Sequence, residues 1–190
     1  MGSLFGKRAT SETTSTTRAL LPAEGIAVRE ISAGEKELIQ KAYDLITGGS
    51  WTQEEKEGFD LEGELNDPET YRAGIFNGGE LIGFGAASTL ATPDFSKYPQ
   101  HKDMWCGYFV LDKRFRDTLR AVSQFRELHD RLLAHALKSD KERILSCTEN
   151  TMMVQVLPRL GWKFVEETDI IDKNGKHIGR TNVFEYPRRK

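Results

Sequence analysis

The chain has 190 residues, of which 38% are hydrophobic, and its 27 basic residues nearly balance its 29 acidic ones. This content predicts one domain with a sizeable core, and the net charge of −2 excludes a general attraction to nucleic acid or anionic lipid. No apolar run is long enough to cross a bilayer and the start has no signal-peptide core, so we expect a cytoplasmic protein that binds no membrane.

The first residues have a different composition from the rest. Residues 1–22 are rich in Thr and Ser and poor in large apolar side chains, which predicts a disordered tail ahead of a single domain over residues 23–190. Gly6 stands where a myristoylation signal has Ser or Thr, so no lipid anchor is expected. The opening MGSLFGK is similar to the first residues of some bacteriophage particle proteins.

The domain begins with strand and helix patterns. Alternating apolar and charged residues over 26–31 predict a strand, and Ser32 is placed to cap a helix that Gly48 and Gly49 end. A more polar helical stretch follows over residues 53–65.

A β-hairpin comes next. The apolar runs 71–76 and 81–90 flank the sequence Asn77-Gly78-Gly79-Glu80, which predicts a tight turn because Asn and Gly accept positive φ. The proline-containing residues 91–103 then read as a loop.

The second half of the chain contains further strand and helix patterns. An apolar run predicts a buried strand over 104–111, and apolar residues at three- and four-residue spacing predict a long helix through 122–137. The remaining elements are a strand at 143–148, a helix at 151–157 ended by Pro158 and Gly161, and a hairpin of strands 162–171 and 177–186. The predicted order is therefore β α α β β β α β α β β.

The junction between the fourth strand and the long helix, LDKRFRDTLRA over residues 111–121, is the strongest functional signal. The first amides of a helix lack backbone partners and lie at the positive end of its dipole, which suits a phosphate group. Lys113, Arg114, Arg116 and Arg120 add positive charge to the same place. A diphosphate ligand is the first interpretation, and a solvated basic turn is the alternative.

This order and these motifs resemble the Gcn5-related N-acetyltransferase (GNAT) superfamily over residues 26–186. The LDKRFRDTLRA loop looks like the family's pyrophosphate loop, V-x-P-x-x-R-x-x-G-x-G/A, and LPRLGW at residues 157–162 looks like its Y-x-K-x-G-F element. The resemblance implies an α/β (α+β) fold with a mixed, mostly antiparallel central sheet of about six to seven strands and about four helices. The element order is also similar to that of acyl-homoserine lactone and N-acyl amino acid synthases.

The resemblance implies that acyl-CoA binds between the fourth and fifth strands. Backbone amides near Phe109, Val110 and Leu111, freed where the fourth strand bulges away from the fifth, would hold the thioester oxygen and the pantetheine arm. Asn150 sits near the Asn that usually opens the following helix. The amides expected to hold the diphosphate are those of Arg116, Asp117, Thr118, Leu119, Arg120 and Ala121.

Several positions depart from the family pattern. The loop has Lys113 for proline, Asp117 for glycine and Leu119 for the middle glycine, which suggests an altered loop or a weaker grip on the phosphates. The Tyr that often protonates the departing CoA thiolate is replaced by Leu157, which has no proton to donate.

The implied chemistry is direct attack of an amine on the thioester, without an acyl-enzyme. Glu149, or a carboxylate on residues 51–65, is the candidate general base, and Tyr108 is the candidate acid, with a packing role as its alternative.

The other reactive side chains have simpler interpretations. Cys106 and Cys147 show no metal-ligand spacing and read as reduced core residues, with a nucleophilic role for Cys147 as the alternative. His129 and His135 on the long helix read as partly exposed surface residues, with a role as general base as the alternative. No metal site is expected.

The preferred function is an acyl-CoA-dependent N-acyltransferase, with acetyl-CoA as the first candidate donor and a small-molecule or protein amine as acceptor. The alternative is a catalytically silent binding or assembly module of the same fold, for example in a bacteriophage. Nucleic-acid binding is disfavoured by the charge balance, and a homo-oligomer is compatible with the sequence.

Overall fold

The computed structural model describes residues 25–48, 60–90, 98, 101–115, 119–172 and 174–188, and in these it contains seven strands and four helices. Their order is the one predicted from the sequence. A 3₁₀ turn at Lys113–Phe115 links the fourth strand to the long helix. The elements are β1 (Ile26–Glu30), α1 (Lys36–Thr47), α2 (Leu61–Asn66), β2 (Tyr71–Asn77), β3 (Glu80–Ser88), β4 (Met104–Leu111), α3 (Leu119–Lys138), β5 (Ile144–Thr148), α4 (Thr151–Arg159), β6 (Lys163–Ile171) and β7 (His177–Glu185).

All seven strands form one mixed sheet in the order β1-β2-β3-β4-β5-β7-β6. Every neighbouring pair is antiparallel except β4 and β5, which are parallel. The predicted α/β fold class with a mostly antiparallel central sheet is therefore confirmed.

Helices cover both faces of the sheet, because apolar side chains on its strands alternate between the two faces. On one face, Leu128 and Leu132 of α3 and Leu157 of α4 pack against Ile82. On the other face, Ile39 of α1 and Leu61 and Leu65 of α2 pack against Leu81 and Phe84. We call the second the α2 face of the sheet.

The β2–β3 hairpin forms where the sequence predicts it. Asn77 pairs with Glu80 across a two-residue turn, in which Gly78 has a φ of 57° and Gly79 a φ of 89°. Two successive residues with positive φ form the type I′ turn that matches the twist of the strands, and glycine adopts it without steric cost.

Two predicted helix boundaries were wrong. Helix α1 begins at Lys36, four residues after Ser32, because the main-chain amide and hydroxyl of Ser32 both donate to the Glu35 carboxylate instead of capping the helix. Helix α4 continues past Pro158 to Arg159, since a proline in the last turn interrupts only the final helical bonds.

Some predictions fall on other parts of the chain. The tail over residues 1–22, the first part of the helical stretch over 53–65 and most of the loop over 91–103 lie outside the described residues. Within the described ranges, no helix is long and apolar enough to cross a membrane.

Candidate active site

The sheet opens in its middle, between β4 and β5. Only two residue pairs join these parallel strands in the described part of the chain, Met104 with Ile144 and Trp105 with Leu145. Strand β4 then continues for six residues to Leu111, all but the first of them half-buried. The carboxyl ends of the two strands therefore lie apart, and the 3₁₀ turn and the start of α3 follow directly from the β4 side of the gap.

A β-bulge shapes the β4 edge of this opening. Phe84 of β3 pairs with Val110, whereas Ala86 pairs with Gly107, so β4 uses one residue more than β3 over the same distance. Tyr108, inside the bulge, has a φ of 56°, which is rare for a residue with a side chain.

The predicted thioester-binding residues all lie on this edge. Phe109 packs towards α3, with its ring 5.3 Å from that of Phe125, and Val110 packs on the α2 face. The amide of Asp112 donates to the carbonyl of Ile82, so the preceding amide, that of Leu111, points towards β5 because successive amides alternate in a strand. Their binding of a cofactor stays a prediction.

The bulge also directs Tyr108 towards helix α2. Its hydroxyl donates to Oε2 of Glu64 across 2.6 Å, a length typical of a bond to an ionised carboxylate. Glu64 is only 3% exposed. Next to this pair lies Gly107, where an added Cβ would have no described heavy atom within 4 Å. The α2 face therefore combines a carboxylate, a hydroxyl and, among the described atoms, open space at the mouth of the opening.

Helix α2, which carries Glu64, is held at both ends. The Asp60 carboxylate accepts from the amide of Gly63 at 3.0 Å. At the other end, the buried guanidinium of Arg72 donates to the main-chain carbonyls of Leu65, Thr70 and Asp67, the first two at 2.6 Å. Burial lowers the pKa of Arg72. The three carbonyls fix the end of α2 immediately after Glu64.

The half-buried Cys147 of β5 lies near the same carboxylate. Burial raises the pKa of its thiol to about 12, and the negative charges of Glu64 and Glu149 add to this effect. Burial alone raises the pKa of Cys106 to about 12. Because the thiolate is the nucleophile, neither cysteine is activated for covalent catalysis. Glu149 is exposed directly after β5, on the opposite side of the opening from β4.

The basic turn is only partly available to a phosphate. Arg114 is bound by the carboxylates of Asp112 and Glu80, both at 2.7 Å, which raise its pKa. This corrects the expectation that Arg114 adds free charge to an anion site. Lys113 is exposed.

The other predicted phosphate-binding residues are in two groups. Leu119, Arg120 and Ala121 form the first turn of α3, and Arg116, Asp117 and Thr118 lie outside the described residues. Asn150 is the N-cap of α4, where its side-chain oxygen accepts from the amides of Met152 and Met153.

His129 is less exposed than predicted, whereas His135 is partly exposed, as predicted. His129 is buried and accepts a hydrogen bond from Trp162, because α3 lies against the sheet at this point. His135 is half-buried and stacks on Tyr71 with 4.3 Å between ring centres. No group of three or more His, Cys, Asp or Glu within the described ranges is placed to hold a metal ion.

Glu64 and Arg72 were not singled out from the sequence. The segment over 51–65 was expected to supply a carboxylate, but several acidic residues there are equivalent in the sequence. Among the described carboxylates of this segment, Glu64 is the one that accepts a hydrogen bond from Tyr108, 44 residues away.

Comparison with known proteins finds the fold but no close relative. No family model matches the chain, and no curated protein does. Among solved structures, YncA, an acetyltransferase candidate from Salmonella typhimurium with acetyl-CoA, has a TM-score of 0.62 at 11% identity, covering 87% of this chain and 95% of its own.

Two further structures agree with this result. A GNAT family acetyltransferase from Elizabethkingia anophelis with acetyl-CoA bound has a TM-score of 0.57 at 13% identity, covering 85% of this chain and 97% of its own. FeeM, an N-acyl amino acid synthase from uncultured soil microbes, has a TM-score of 0.57 at 13% identity, covering 84% of this chain and 88% of its own. Identities this low show a shared fold.

Proposed function

We propose that this chain, which has the fold of the Gcn5-related N-acetyltransferases, is an acyl-CoA-dependent N-acyltransferase. The observation that carries the proposal is the parting of β4 from β5 beside a bulge and ahead of a helix start. A gap between strands leaves main-chain amides directed at whatever enters it, and a thioester with a long polar arm needs such donors.

The donor is acetyl-CoA or another acyl-CoA. Two proteins of this fold, from Salmonella and Elizabethkingia, were solved with acetyl-CoA, which supports the same co-substrate here. The first-turn amides of α3, with Arg116 and Arg120, would take the diphosphate. The β4 edge at Phe109, Val110 and Leu111 would hold the pantetheine arm and the thioester oxygen.

The reaction is direct transfer of the acyl group to an amine, in the cytoplasm. The acceptor approaches from the α2 face, where Gly107 leaves space beside Tyr108. Tyr108 protonates the departing thiolate, and Glu64 or Glu149 accepts the proton that the amine loses. The acceptor is a small-molecule or protein amine. The half-buried Cys147 has no part in the transfer, since its thiol stays protonated.

A silent binding module is the second candidate. It is favoured by Leu157, which stands at the usual tyrosine position and is buried in the core, and by Arg114, whose charge is already taken by Asp112 and Glu80.

Thermal denaturation with acetyl-CoA separates the two candidates. A ligand that binds only the folded state, at about a hundred times its Kd, raises the Tm of a chain of this size by about 5–10 °C. Arg116→Glu should abolish the shift. Arg126→Glu, the same charge reversal at an exposed position further along α3, should preserve it. No shift with acetyl-CoA or with longer acyl-CoA thioesters would favour the silent module.

A second variant tests whether the cofactor enters between the strands. Gly107→Leu fills the open space at the bulge and should weaken acetyl-CoA binding or prevent transfer to amines, measured as release of the CoA thiol. Gly34→Leu is the control. Among the described atoms, a Cβ there meets only Ser32 Oγ, at 3.9 Å, and the residue follows β1, an edge strand of the sheet. Equal rates of CoA thiol release by the two variants would show that the space at Gly107 is not used in the reaction.

A further inference from the structure

We propose that Tyr108 and Glu64 form one proton relay, in which Tyr108 contacts the reacting groups and Glu64 stores the proton behind it. The inference rests on the proposed acyl transfer and assigns its proton path. It joins the acid and the base of that transfer into one unit, and it gives a role to a buried carboxylate on α2.

The geometry of the pair fits a relay. The two oxygens are 2.6 Å apart, with the tyrosine hydroxyl as donor. Glu64 is almost fully buried, whereas Tyr108 is half-buried at the mouth of the opening. A substrate can therefore meet the phenol more readily than the carboxylate. A proton given up at the opening reaches Glu64 through Tyr108.

The bulge is what brings the two residues together. In a regular strand, residues separated by an odd number of positions point to opposite faces. Trp105 and Tyr108 nevertheless both pack on the α2 side of the sheet, Trp105 in the cluster with Leu145 and Tyr108 in the cluster with α1 and α2. The extra residue of β4 reverses the alternation and turns the phenol towards Glu64.

The carboxylate is equally constrained. Arg72 binds the carbonyl of Leu65, the residue after Glu64, and the carbonyls of Asp67 and Thr70 in the segment that leaves α2. A buried guanidinium held by three carbonyls fixes the helix end and with it the direction of Glu64. Arg72 is a positioning residue in this scheme.

The relay balances every proton of the transfer. The neutral amine attacks the thioester carbon, and the C–N bond forms. As the nitrogen becomes acidic, Tyr108 takes its proton and passes its own to Glu64. The C–S bond then breaks with its electron pair on sulfur, and Tyr108 protonates the thiolate while it recovers a proton from Glu64. The products are the amide and free CoA thiol, and the pair returns to its starting state.

The same chain contains a second tyrosine–glutamate pair that serves as a control. The buried Tyr98 donates to Glu166 Oε1 at 2.8 Å and packs edge-on against Trp105 with 5.5 Å between ring centres. Trp105 lies at the start of β4, before that strand parts from β5. Removing the Tyr98 hydroxyl therefore tests the structural effect of losing a buried tyrosine–glutamate hydrogen bond, without altering the opening.

The test compares turnover in four variants. We would measure CoA thiol release from acetyl-CoA with n-butylamine and with hydroxylamine as acceptors. Tyr108→Phe and Glu64→Gln should each lower kcat by about 10²–10⁴-fold, with little change in the acetyl-CoA-induced Tm shift. Their double variant should be no slower than the slower single variant, because residues that act as one unit are not additive. Tyr98→Phe should retain wild-type kcat.

Further readouts separate a relay from a structural contact. Glu64→Asp keeps the charge and should recover part of the activity that Glu64→Gln loses, and it replaces that variant if Glu64→Gln fails to fold. The kcat of the wild type should fall at acidic pH, where a protonated Glu64 cannot accept a proton, and this fall should be absent in Glu64→Gln.

Three outcomes would overturn the relay. The first is that the losses in kcat of Tyr108→Phe and Glu64→Gln multiply in the double variant. The second is that each single variant keeps the wild-type kcat. The third is that the wild-type protein binds acetyl-CoA but transfers the acetyl group to neither amine. A wild-type protein that binds no acyl-CoA would instead remove the proposed function itself.

Discussion

Trp162 donates its indole N–H to Nε2 of His129 across 2.8 Å, and both side chains are buried. The bond requires an unprotonated Nε2, so the neutral ring carries its proton on Nδ1, which lies 3.0 Å from Asp130 Oδ1. Because His129 is on α3 and Trp162 precedes β6, the contact ties the helix after the basic turn to the far half of the sheet.

Trp162→Phe should destabilise the protein by about 1–3 kcal/mol, because it leaves a buried nitrogen without its donor. The measurement is the free energy of unfolding from urea denaturation. Phe164→Leu, at an exposed aromatic position on β6, should change stability much less. Equal stability of Trp162→Phe and wild type would mean that water or a rearranged ring satisfies His129.

Arg72→Met should be among the most destabilising single substitutions in the chain. It removes the donor of three carbonyls at the end of α2, at a cost of about 3 kcal/mol and a Tm lower by about 6–12 °C. Arg180→Met is the control, since that arginine is exposed and pairs with Glu167 and Asp169 at the surface, where ion pairs contribute little. Similar losses of stability in the two variants would contradict the role of Arg72 in fixing the end of α2.

Cys147→Ser should retain most of the acyl-transfer activity. Burial raises the pKa of the Cys147 thiol to about 12, so the thiolate is scarce near neutral pH and Cys147 is a poor nucleophile. Alkylation by iodoacetamide in the native state should accordingly be far slower than in urea. Loss of turnover in the serine variant, with acetyl-CoA binding intact, would revive a covalent mechanism.

The half-buried His135 should make stability depend on pH. Burial lowers its pKa, with Glu30 opposing and Lys138 reinforcing the shift. The folded state therefore binds the proton less well than the unfolded chain, whose pKa is about 6.5. Its contribution is complete above that value and is lost as pH falls towards the folded pKa.

The matched variant is His135→Phe, which keeps a ring against Tyr71 but has no proton to bind. Between about pH 7 and pH 5, the Tm of the wild type should fall more steeply than that of the variant. Parallel curves, recorded by circular dichroism, would show that His135 contributes no pH dependence.

The sequence predicts the elements of this fold well because their signals are local. The glycines at 78 and 79 specify a turn by themselves, and the apolar run over 104–111 coincides with β4. The predicted helix boundaries were less accurate where a side chain could bond to either of two partners. At Ser32, the hydroxyl donates to the Glu35 carboxylate instead of capping the helix.

The site is harder to predict, because its key contacts join distant parts of the chain. The family resemblance implies a bulge in the fourth strand, and Gly107 is a local signal for one. The position of the extra residue, however, is defined only by the register with β3. Glu64, in a polar helical stretch, and Arg72, in an apolar strand run, likewise look like ordinary charged residues until the fold buries them.

The backbone conformation of Tyr108 lowers the stability of the whole domain. Its left-handed backbone, at a φ of 56°, costs an ordinary residue about 1–2 kcal/mol, which glycine would avoid. Such a conformation persists only where the surrounding structure enforces it. Part of the free energy gained by packing the sheet is thus stored at a single position, and the phenol is aimed before any substrate arrives.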